Sequence, residues 1–497
     1  MLIAFGIVIR LVQYLSNRSL WNDEAALAAN ILNRSYLELL GKLEGNQAAP
    51  PLFLWLEKLS LQLLGAHDLS LRIIPFLAGI LSLILFSQLT SQFLKGMSIP
   101  IAIGLFATLK YTVYYSAEVK PYGVDLAVAL FLFLMLISVY TQRLTLKQNL
   151  TFGGLGMVAI WLAYPSIFVL AAVELCTYLR TPLRKVRSVL VNRSLMYSMW
   201  FISFLSLYFL IVQQTLDNAD LVESWAARYP DSWLDFLWLV NAFGRFFYRP
   251  LGFLGWTDGV AMFAFCCGCI RMYRRDKWSL LLLNMPLSIT LLAGYAHQYP
   301  FRDRLVYFLT PFAIVMIAEG ITLLLSRGHQ RSQLLNLLGI VVLGALLIPP
   351  FTRSTQQILN PNLFHFHHIR PVLQHIQTQW QHDDHLFIFP SAEAQFTYYN
   401  LITPFPPEHY SFGQYRIPSE KELVQLPAGM GEPLQQALDP LQEKARVWFL
   451  VSASSEIQQQ ALLAELSQMG QQLDLYQQPD AMTCLYTLNP QPTPTDK

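Results

Sequence analysis

The feature that most constrains the fold of this chain is a series of apolar segments long enough to cross a membrane. Only 13% of its 497 residues are charged, about half the share in a soluble domain, and 54% are hydrophobic. Segments of this length and composition predict an integral membrane protein built from α-helices. Eleven spans are predicted, near residues 1–17, 71–92, 98–115, 121–141, 150–163, 166–180, 194–213, 252–271, 278–296, 304–326 and 333–350.

The distribution of positive charge between these segments predicts their orientation. Basic residues collect in every second connection, and such connections face the cytoplasm. They are Lys95; Arg143 and Lys147; Arg180, Arg184, Lys185 and Arg187; Arg271, Arg274, Arg275 and Lys277; and Arg327 and Arg331. The N-terminus is then cytoplasmic, and the first segment is a retained signal anchor, since no cleavage site follows it. The intervening connections face outward and carry Asp23, Glu24, Glu118, Asp217, Asp220, Glu223 and residues 302–304.

Parts of the outer connections are apolar without being long enough to span. Residues 50–65 are too short and too polar to cross, so they predict an amphipathic helix in the outer interface. Residues 22–40 predict a second interfacial helix, and the aromatic stretch 231–247 a third. The transmembrane domain is therefore predicted over 1–350, with interfacial helices within 22–65 and 231–247.

After residue 350 the composition changes to that of a soluble domain. Strand-like runs at 386–389, 447–451, 472–477 and 482–488 alternate with helical stretches such as 455–469. This alternation predicts a soluble α/β domain over 351–488, which the parity of the spans places outside the membrane. The Pro- and Thr-rich tail 489–497 is predicted to be disordered. Surface positions are predicted for His365, His367, His368, His375, His382 and His385, whose spacing matches no metal motif.

Two acidic clusters in the outer connections could carry chemistry. Asp23 and Glu24 follow the first span, and Glu118 follows the third predicted span. A carboxylate at the membrane surface can act as general base toward a hydroxyl or amine. If the bond under attack joins a sugar to a lipid phosphate, the leaving group is an anion that needs cations, and Lys120, Arg302 and Arg304 are candidates. The alternative is that these charges only pair with one another at the interface.

Four sequence blocks carry a resemblance to a known family. They are LWNDEA at 20–25; QAAPPLF at 47–53 followed by LGAHDLSLRIIP at 64–75; YYSAEVKPY at 114–122; and the stretch from Arg304 to Tyr307 ahead of Pro311. In this order, over residues 1–330, they resemble the GT-C membrane glycosyltransferases. The likeness is to the protein mannosyltransferase-like group that includes bacterial aminoarabinose and lipopolysaccharide-core sugar transferases.

The resemblance implies an inverting sugar transfer from a polyprenyl-phosphate donor on the outer face of a bacterial plasma membrane. Asp23, with Glu24 beside it, matches the catalytic acidic position and is assigned as general base. Glu118 matches the second acidic position, a substrate or metal contact, and Arg304 a contact to the lipid phosphate. Further substrate-binding candidates are Lys120, Tyr122, Arg302, Tyr307 and Gln47. The chain departs from some relatives before its Pro-Pro pair, where Gln47 and two alanines stand in place of charged residues or His.

Several identities stay open at the level of sequence. A divalent metal held by Asp23 and Glu118 is one option, and no other cofactor is implied. The acceptor could be a lipid, a glycan or a protein, while the net charge of +2 gives no basis for nucleic-acid binding. A transporter or flippase for a polyprenyl-linked glycan is the first rival, although transport sites lie near the midplane and these acids lie at one surface. A non-catalytic membrane scaffold is the second.

Overall fold

The computed structural model describes residues 1–213, 228–325, 333–425, 431–441 and 444–488, together with 223, 225 and 226. The predictions for Asp217, Asp220, Arg327, Arg331 and the tail 489–497 lie outside these residues. The chain divides into two compact units. The helical unit comprises Met1–Ser16, Ser35–Leu64 and Leu69–Pro361, and the sheet unit comprises Asn17–Arg34, Gly65–Asp68 and Asn362–Lys497. Asn17–Arg34 is called the Asp23 segment below.

The first part of the chain is almost entirely helical. Its described α-helices are α1 Leu2–Leu15, α2 Asn22–Asn33, α3 Pro51–Leu64, α4 Asp68–Phe93, α5 Ser98–Thr108, α6 Lys110–Tyr114, α7 Tyr122–Ile137, α8 Leu146–Leu162, α9 Ser166–Arg180, α10 Leu183–Leu207, α11 Phe236–Tyr248, α12 Thr257–Arg275, α13 Lys277–Tyr295, α14 Thr310–Leu325 and α15 Gln333–Leu359. Every predicted span coincides with one of these helices or with two consecutive ones.

Fewer helices than predicted are long and apolar enough to cross a membrane alone. Among the described residues there are five, and six if one bent pair counts as a span. They are Asp68–Phe93, Leu183–Val212, Lys277–Tyr295, Asp303–Leu325 and Gln333–Leu359, with Lys110–Ala117 and Tyr122–Ile137 as the bent pair. The difference arises because several apolar segments are broken. The predicted span 98–115, for example, becomes α5 and α6 because Leu109 takes an extended conformation with φ −58° and ψ 140°.

The middle of the helical unit is built around α14, where every residue from Thr310 to Ile321 is buried. It packs closely against α12 because glycines face each other across the contact. A Cβ atom at Gly268 would lie 1.8 Å from the Met316 carbonyl oxygen, and one at Gly320 would lie 1.8 Å from that of Ala264. Small residues at such crossings let two apolar helices approach backbone to backbone.

The helices predicted to lie in the interface are present. Helix α3 is only 14 residues long and buries Phe53, Leu54 and Leu61 along one face. Its length agrees with the prediction that 50–65 cannot span. Helix α11 covers most of the predicted stretch 231–247, and Asp235 caps it by accepting the Trp238 N–H at 2.8 Å.

The sheet unit contains a mixed five-stranded sheet. Its strands are β1 Asp384–Ile388, β2 Tyr410–Phe412, β3 Arg446–Ser452, β4 Gln471–Gln478 and β5 Ala481–Thr487, in the order β2-β1-β3-β5-β4. Strands β1, β2 and β3 are parallel, and β5 pairs antiparallel with β3 and β4. Its described helices are α16 Ile369–Gln379, α17 Glu393–Ile402, α18 Glu420–Gln425, α19 Gly431–Leu438 and α20 Glu456–Met469. The four predicted strands correspond to β1, β3, β4 and β5.

The expectation of surface histidines is wrong at two positions. His368 and His385 are buried, with exposed fractions of 9% and 8%. Each has a polar partner: His368 lies 3.0 Å from the Ser19 hydroxyl, and His385 lies 2.9 Å from the Ser411 hydroxyl. A buried histidine with a hydrogen-bond partner carries no signal in a single sequence, because the partner is distant along the chain.

Candidate active site

In the helical unit, the candidate site is built on a break between two helices. The segment Lys110–Ala117 meets α7 at an angle of 109°. Glu118 lies in the break with φ −105° and ψ 133°, and its side chain is buried. The Tyr114 hydroxyl donates to a Glu118 carboxylate oxygen at 3.3 Å. Non-helical backbone in a membrane protein is tolerated where it is enclosed by protein or lines a cavity, so a carboxylate here is a functional candidate.

Lys120 and Gln47 meet although 73 residues separate them. The Lys120 ammonium donates to the Gln47 side-chain carbonyl oxygen at 2.5 Å. Gln47 follows a tight reversal in which Gly45 and Asn46 have positive φ angles of 67° and 54°. The Tyr164 hydroxyl donates to the Ala49 carbonyl at 2.9 Å and fixes the same loop. The Lys120 amine is thus a buried donor group held beside a neutral amide, which suits contact with an anion.

Aromatic rings enclose this break. The Tyr115 ring lies 5.4 Å from that of Tyr122 and 4.8 Å from that of Tyr307, both in edge-on geometry. Close approach of α7 requires glycine at residue 123, because a Cβ there would lie 2.8 Å from the Tyr115 carbonyl oxygen. The structure therefore brings two predicted residues, Tyr122 and Tyr307, onto Tyr115 of the YYSAEVKPY block.

The two predicted arginines, Arg302 and Arg304, lie in different environments. The Arg304 guanidinium lies over the Tyr122 ring, 5.5 Å from its centroid, and so belongs to the aromatic group. Arg302 instead lies 3.5 Å from Asp303, whose other carboxylate oxygen pairs with Arg245 at 3.0 Å. Arg304 thus lies beside the residues of the helix break, whereas Arg302 pairs with Asp303.

In the sheet unit, Asp23 and Glu24 occupy the first turn of α2. Glu24 is fully buried, pairs with Arg18 at 2.8 Å and accepts the Trp21 N–H at 3.2 Å. Arg18 also lies over the Phe366 ring, 4.7 Å from its centroid. Asp23 is half-buried, at the positive end of the helix, where a negative charge is stabilised. The two neighbouring carboxylates therefore have different surroundings.

The described residues do not fit a metal centre of three side-chain ligands. Nowhere among them do three His, Cys, Asp or Glu side chains form a group that could hold an ion. In the helix break, the nearest charged neighbour of Glu118 along the chain is the cation Lys120, which is no metal ligand when protonated.

Comparison with solved structures shows which fold this is. This chain matches the structure of ArnT from Cupriavidus metallidurans in the apo state over 97% of each chain, with 10% identity and a TM-score of 0.51. It also matches the oligosaccharyltransferase of Archaeoglobus fulgidus in complex with zinc and sulfate, with 11% identity and a TM-score of 0.49. That match covers 90% of this chain and 68% of the oligosaccharyltransferase chain. ArnT from C. metallidurans bound to undecaprenyl phosphate matches with 11% identity, 97% coverage of each chain and a TM-score of 0.49. No family model and no curated protein matches the chain.

The match to ArnT confirms the fold that the sequence resemblance implied. The chain has the fold of ArnT over nearly its whole length, with helices followed by a C-terminal mixed sheet. With its candidate spans, this fold makes the chain an integral membrane protein.

Proposed function

We propose that this protein is a membrane glycosyltransferase that moves a sugar from a polyprenyl-phosphate donor to an acceptor on the extracytoplasmic face. The observation that carries the proposal is the site around the broken helix: a buried carboxylate, a buried ammonium and an aromatic wall at Glu118, Lys120 and Tyr122. The GT-C fold supports it, because the four sequence blocks that resemble the family include these residues.

Asp23 is the proposed general base. The acceptor hydroxyl or amine gives its proton to the Asp23 carboxylate while its heteroatom forms a bond to the anomeric carbon. The bond from that carbon to the phosphate oxygen breaks, and its electron pair leaves with the polyprenyl phosphate. Attack opposite the leaving group inverts the anomeric centre.

The cations of the helix break are the proposed partners of the departing phosphate. Lys120 supplies a point charge, and Arg304 can offer two parallel N–H donors to phosphate oxygens. Tyr122 and Tyr307 supply faces for the sugar or the first prenyl units, with Glu118 and Gln47 as hydrogen-bonding contacts. Glu24, paired with Arg18, is proposed to hold the segment that carries the base, and Arg302 to support the outer loop through Asp303.

The proposed membrane topology follows the charge distribution. Eleven spans put the N-terminus in the cytoplasm and the C-terminal domain outside, in a bacterial plasma membrane. In a variant without its native cysteines, a cysteine at exposed position 383 should react with an impermeant thiol reagent on intact cells. Reaction only after permeabilisation would reverse the proposed orientation.

The activity is tested by donor consumption in purified protein. Undecaprenyl-phosphate mannose and undecaprenyl-phosphate aminoarabinose would be supplied with candidate acceptors, and loss of donor followed. We expect Asp23→Asn to fold normally and to lose turnover by ~10²–10⁴-fold, the usual contribution of general-base catalysis. Glu456→Gln, in the first turn of α20 and exposed, is the matched control. Equal turnover in wild type and Asp23→Asn would refute the role of Asp23, and donor that crosses a vesicle bilayer unconsumed would favour the flippase.

A further inference from the structure

The Asp23 segment is held by side chains of the C-terminal domain, more than 300 residues later in the chain. The Ser19 N–H donates to His368 Nδ1 at 3.2 Å, and the Leu20 N–H donates to the Tyr399 hydroxyl at 2.9 Å. The Leu20 carbonyl accepts from the Gln395 amide at 2.5 Å. These bonds fix the backbone just ahead of the first turn of α2.

Ser19 and Leu20 are enclosed as well as bonded. Both have an exposed fraction of 0%, and the Ser19 carbonyl accepts from Arg18 at 3.1 Å. Each backbone N–H and C=O of the two residues therefore has a side-chain partner. Buried backbone groups must be paired, and pairing by side chains rather than by a ladder fixes one conformation of an irregular segment.

A second layer holds the side chains that make these bonds. The Tyr399 hydroxyl donates to Asp68 at 2.8 Å, and Tyr398 donates to the other Asp68 oxygen at 3.2 Å. Arg370 pairs with the same carboxylate at 2.7 Å. Burial first, and then the charge of Asp68, raises the pKa of Tyr399 well above its ordinary value, so its hydroxyl stays protonated.

Arg370 ties this layer back to the start of the segment. Its guanidinium donates to the Asn17 carbonyl at 2.5 Å, and its backbone N–H donates to the Ser19 hydroxyl at 3.0 Å. Asn17 has a positive φ of 44°, so the chain turns sharply where the segment begins. Gln395 is itself fixed by Ser452, the last residue of β3, whose hydroxyl donates to it at 2.5 Å. The network thus runs from the sheet to the backbone ahead of Asp23.

We propose that the C-terminal sheet domain is a positioning frame for the Asp23 segment, with Tyr399, Asp68 and Arg370 as positioning residues. The inference rests on the proposed function, since its effect on turnover follows from Asp23 being the base. It assigns the C-terminal domain a part in the transfer itself, beyond contact with an acceptor. A reacting group displaced by about 1 Å can lose on the order of 10²-fold in rate.

Tyr399→Phe removes one hydroxyl and leaves the ring packed. The matched control is Tyr486→Phe, since Tyr486 is also a buried tyrosine of the sheet unit, bonded to Gln472 at 3.0 Å and near Ser467. With undecaprenyl-phosphate aminoarabinose or mannose, whichever the wild type consumes, we expect kcat to fall roughly 10–100-fold in Tyr399→Phe, with the donor KM unchanged. Asp68→Asn, which weakens the hydrogen bond that the Tyr399 hydroxyl donates, should also lower kcat.

Amide hydrogen exchange gives a readout that does not depend on turnover. In Tyr399→Phe the amides of residues 18–24 should exchange faster, while those of β3 and β5 stay protected; in Tyr486→Phe residues 18–24 should be unchanged. Equal exchange and equal kcat in the two tyrosine variants would overturn the positioning frame even if Asp23→Asn is inactive. If Asp23→Asn retains turnover, the proposed function fails, and faster exchange at 18–24 alone would still support the frame as a structural device.

Discussion

The two acidic regions of this molecule are organised by different means. Glu118 lies in a break between helices, and aromatic packing around Tyr115 and a close approach at Gly123 define its surroundings. Asp23 lies on a segment whose backbone is fixed by hydrogen bonds from side chains that come more than 300 residues later in the sequence. A network of buried polar groups loses much when one member is removed. We therefore expect the Asp23 region to be more sensitive than the Glu118 region to single polar substitutions.

The largest expected effect on stability is at the ion pair of the Asp23 segment. Arg18→Met removes the ion-pair partner of the fully buried Glu24 carboxylate, and breaking a buried pair in this way costs about 3–5 kcal/mol. Arg245→Met breaks the partly exposed pair with Asp303 in the helical unit and should cost about 1 kcal/mol or less. Denaturant titration of both variants, each with a check of secondary structure, measures the difference. Equal losses of unfolding free energy in the Arg18→Met and Arg245→Met variants would contradict the expected difference between the two ion pairs.

A smaller effect is expected at the helix break, and on donor binding rather than on stability. Lys120→Met removes a charged donor, and hydrogen bonds to charged groups contribute about 1.5–3 kcal/mol, so the donor KM should rise by roughly tenfold or more. Lys58→Met, at a lysine that lies over the Tyr36 ring, should leave the KM unchanged. A lower kcat with an unchanged KM would place Lys120 outside donor binding.

The smallest expected effect is a pH dependence of the sheet unit. Burial lowers the pKa of His367, with Asp480 opposing and Arg18 adding to the shift, and burial also lowers the pKa of His385. The unfolded chain then binds protons that the folded chain does not, so stability falls as the pH drops below about 6.5, the ordinary value for histidine. His367→Gln should make the unfolding free energy less sensitive to pH between about 7.5 and 5. An identical pH profile would show that His367 does not contribute.

Much of the fold was predictable because it depends on periodic patterns. Every predicted span coincides with helix, and four of the five strands of the described sheet were predicted from apolar runs such as 447–451. Strand β2 was missed because it has only three residues and little burial. Among the described residues, fewer helices than predicted are long and apolar enough to cross alone, because the helices break at residues such as Leu109 while the surrounding sequence stays apolar.

The candidate site was predictable only in its residue types. The blocks around Asp23 and Glu118 drew attention to both carboxylates, yet they gave no hint that Glu24 is buried against Arg18 while Asp23 is half-buried. Long-range partners such as Tyr399 carry no local pattern, because a hydrogen bond across hundreds of residues leaves no mark on the spacing of a single chain. Grouping of the Asp23 segment with the sheet unit was not predicted for the same reason.

The central proposal is that Asp23 and Glu118 serve the same sugar-transfer step, and a double-mutant cycle tests it most directly. Donor consumption would be measured at saturating donor for wild type, Asp23→Asn, Glu118→Gln and the double variant. Residues that act together on one transition state are strongly non-additive, so the double variant should be about as slow as the slower single variant. A double variant slowed by the product of the two single effects would mean that the carboxylates act independently, and would contradict the account.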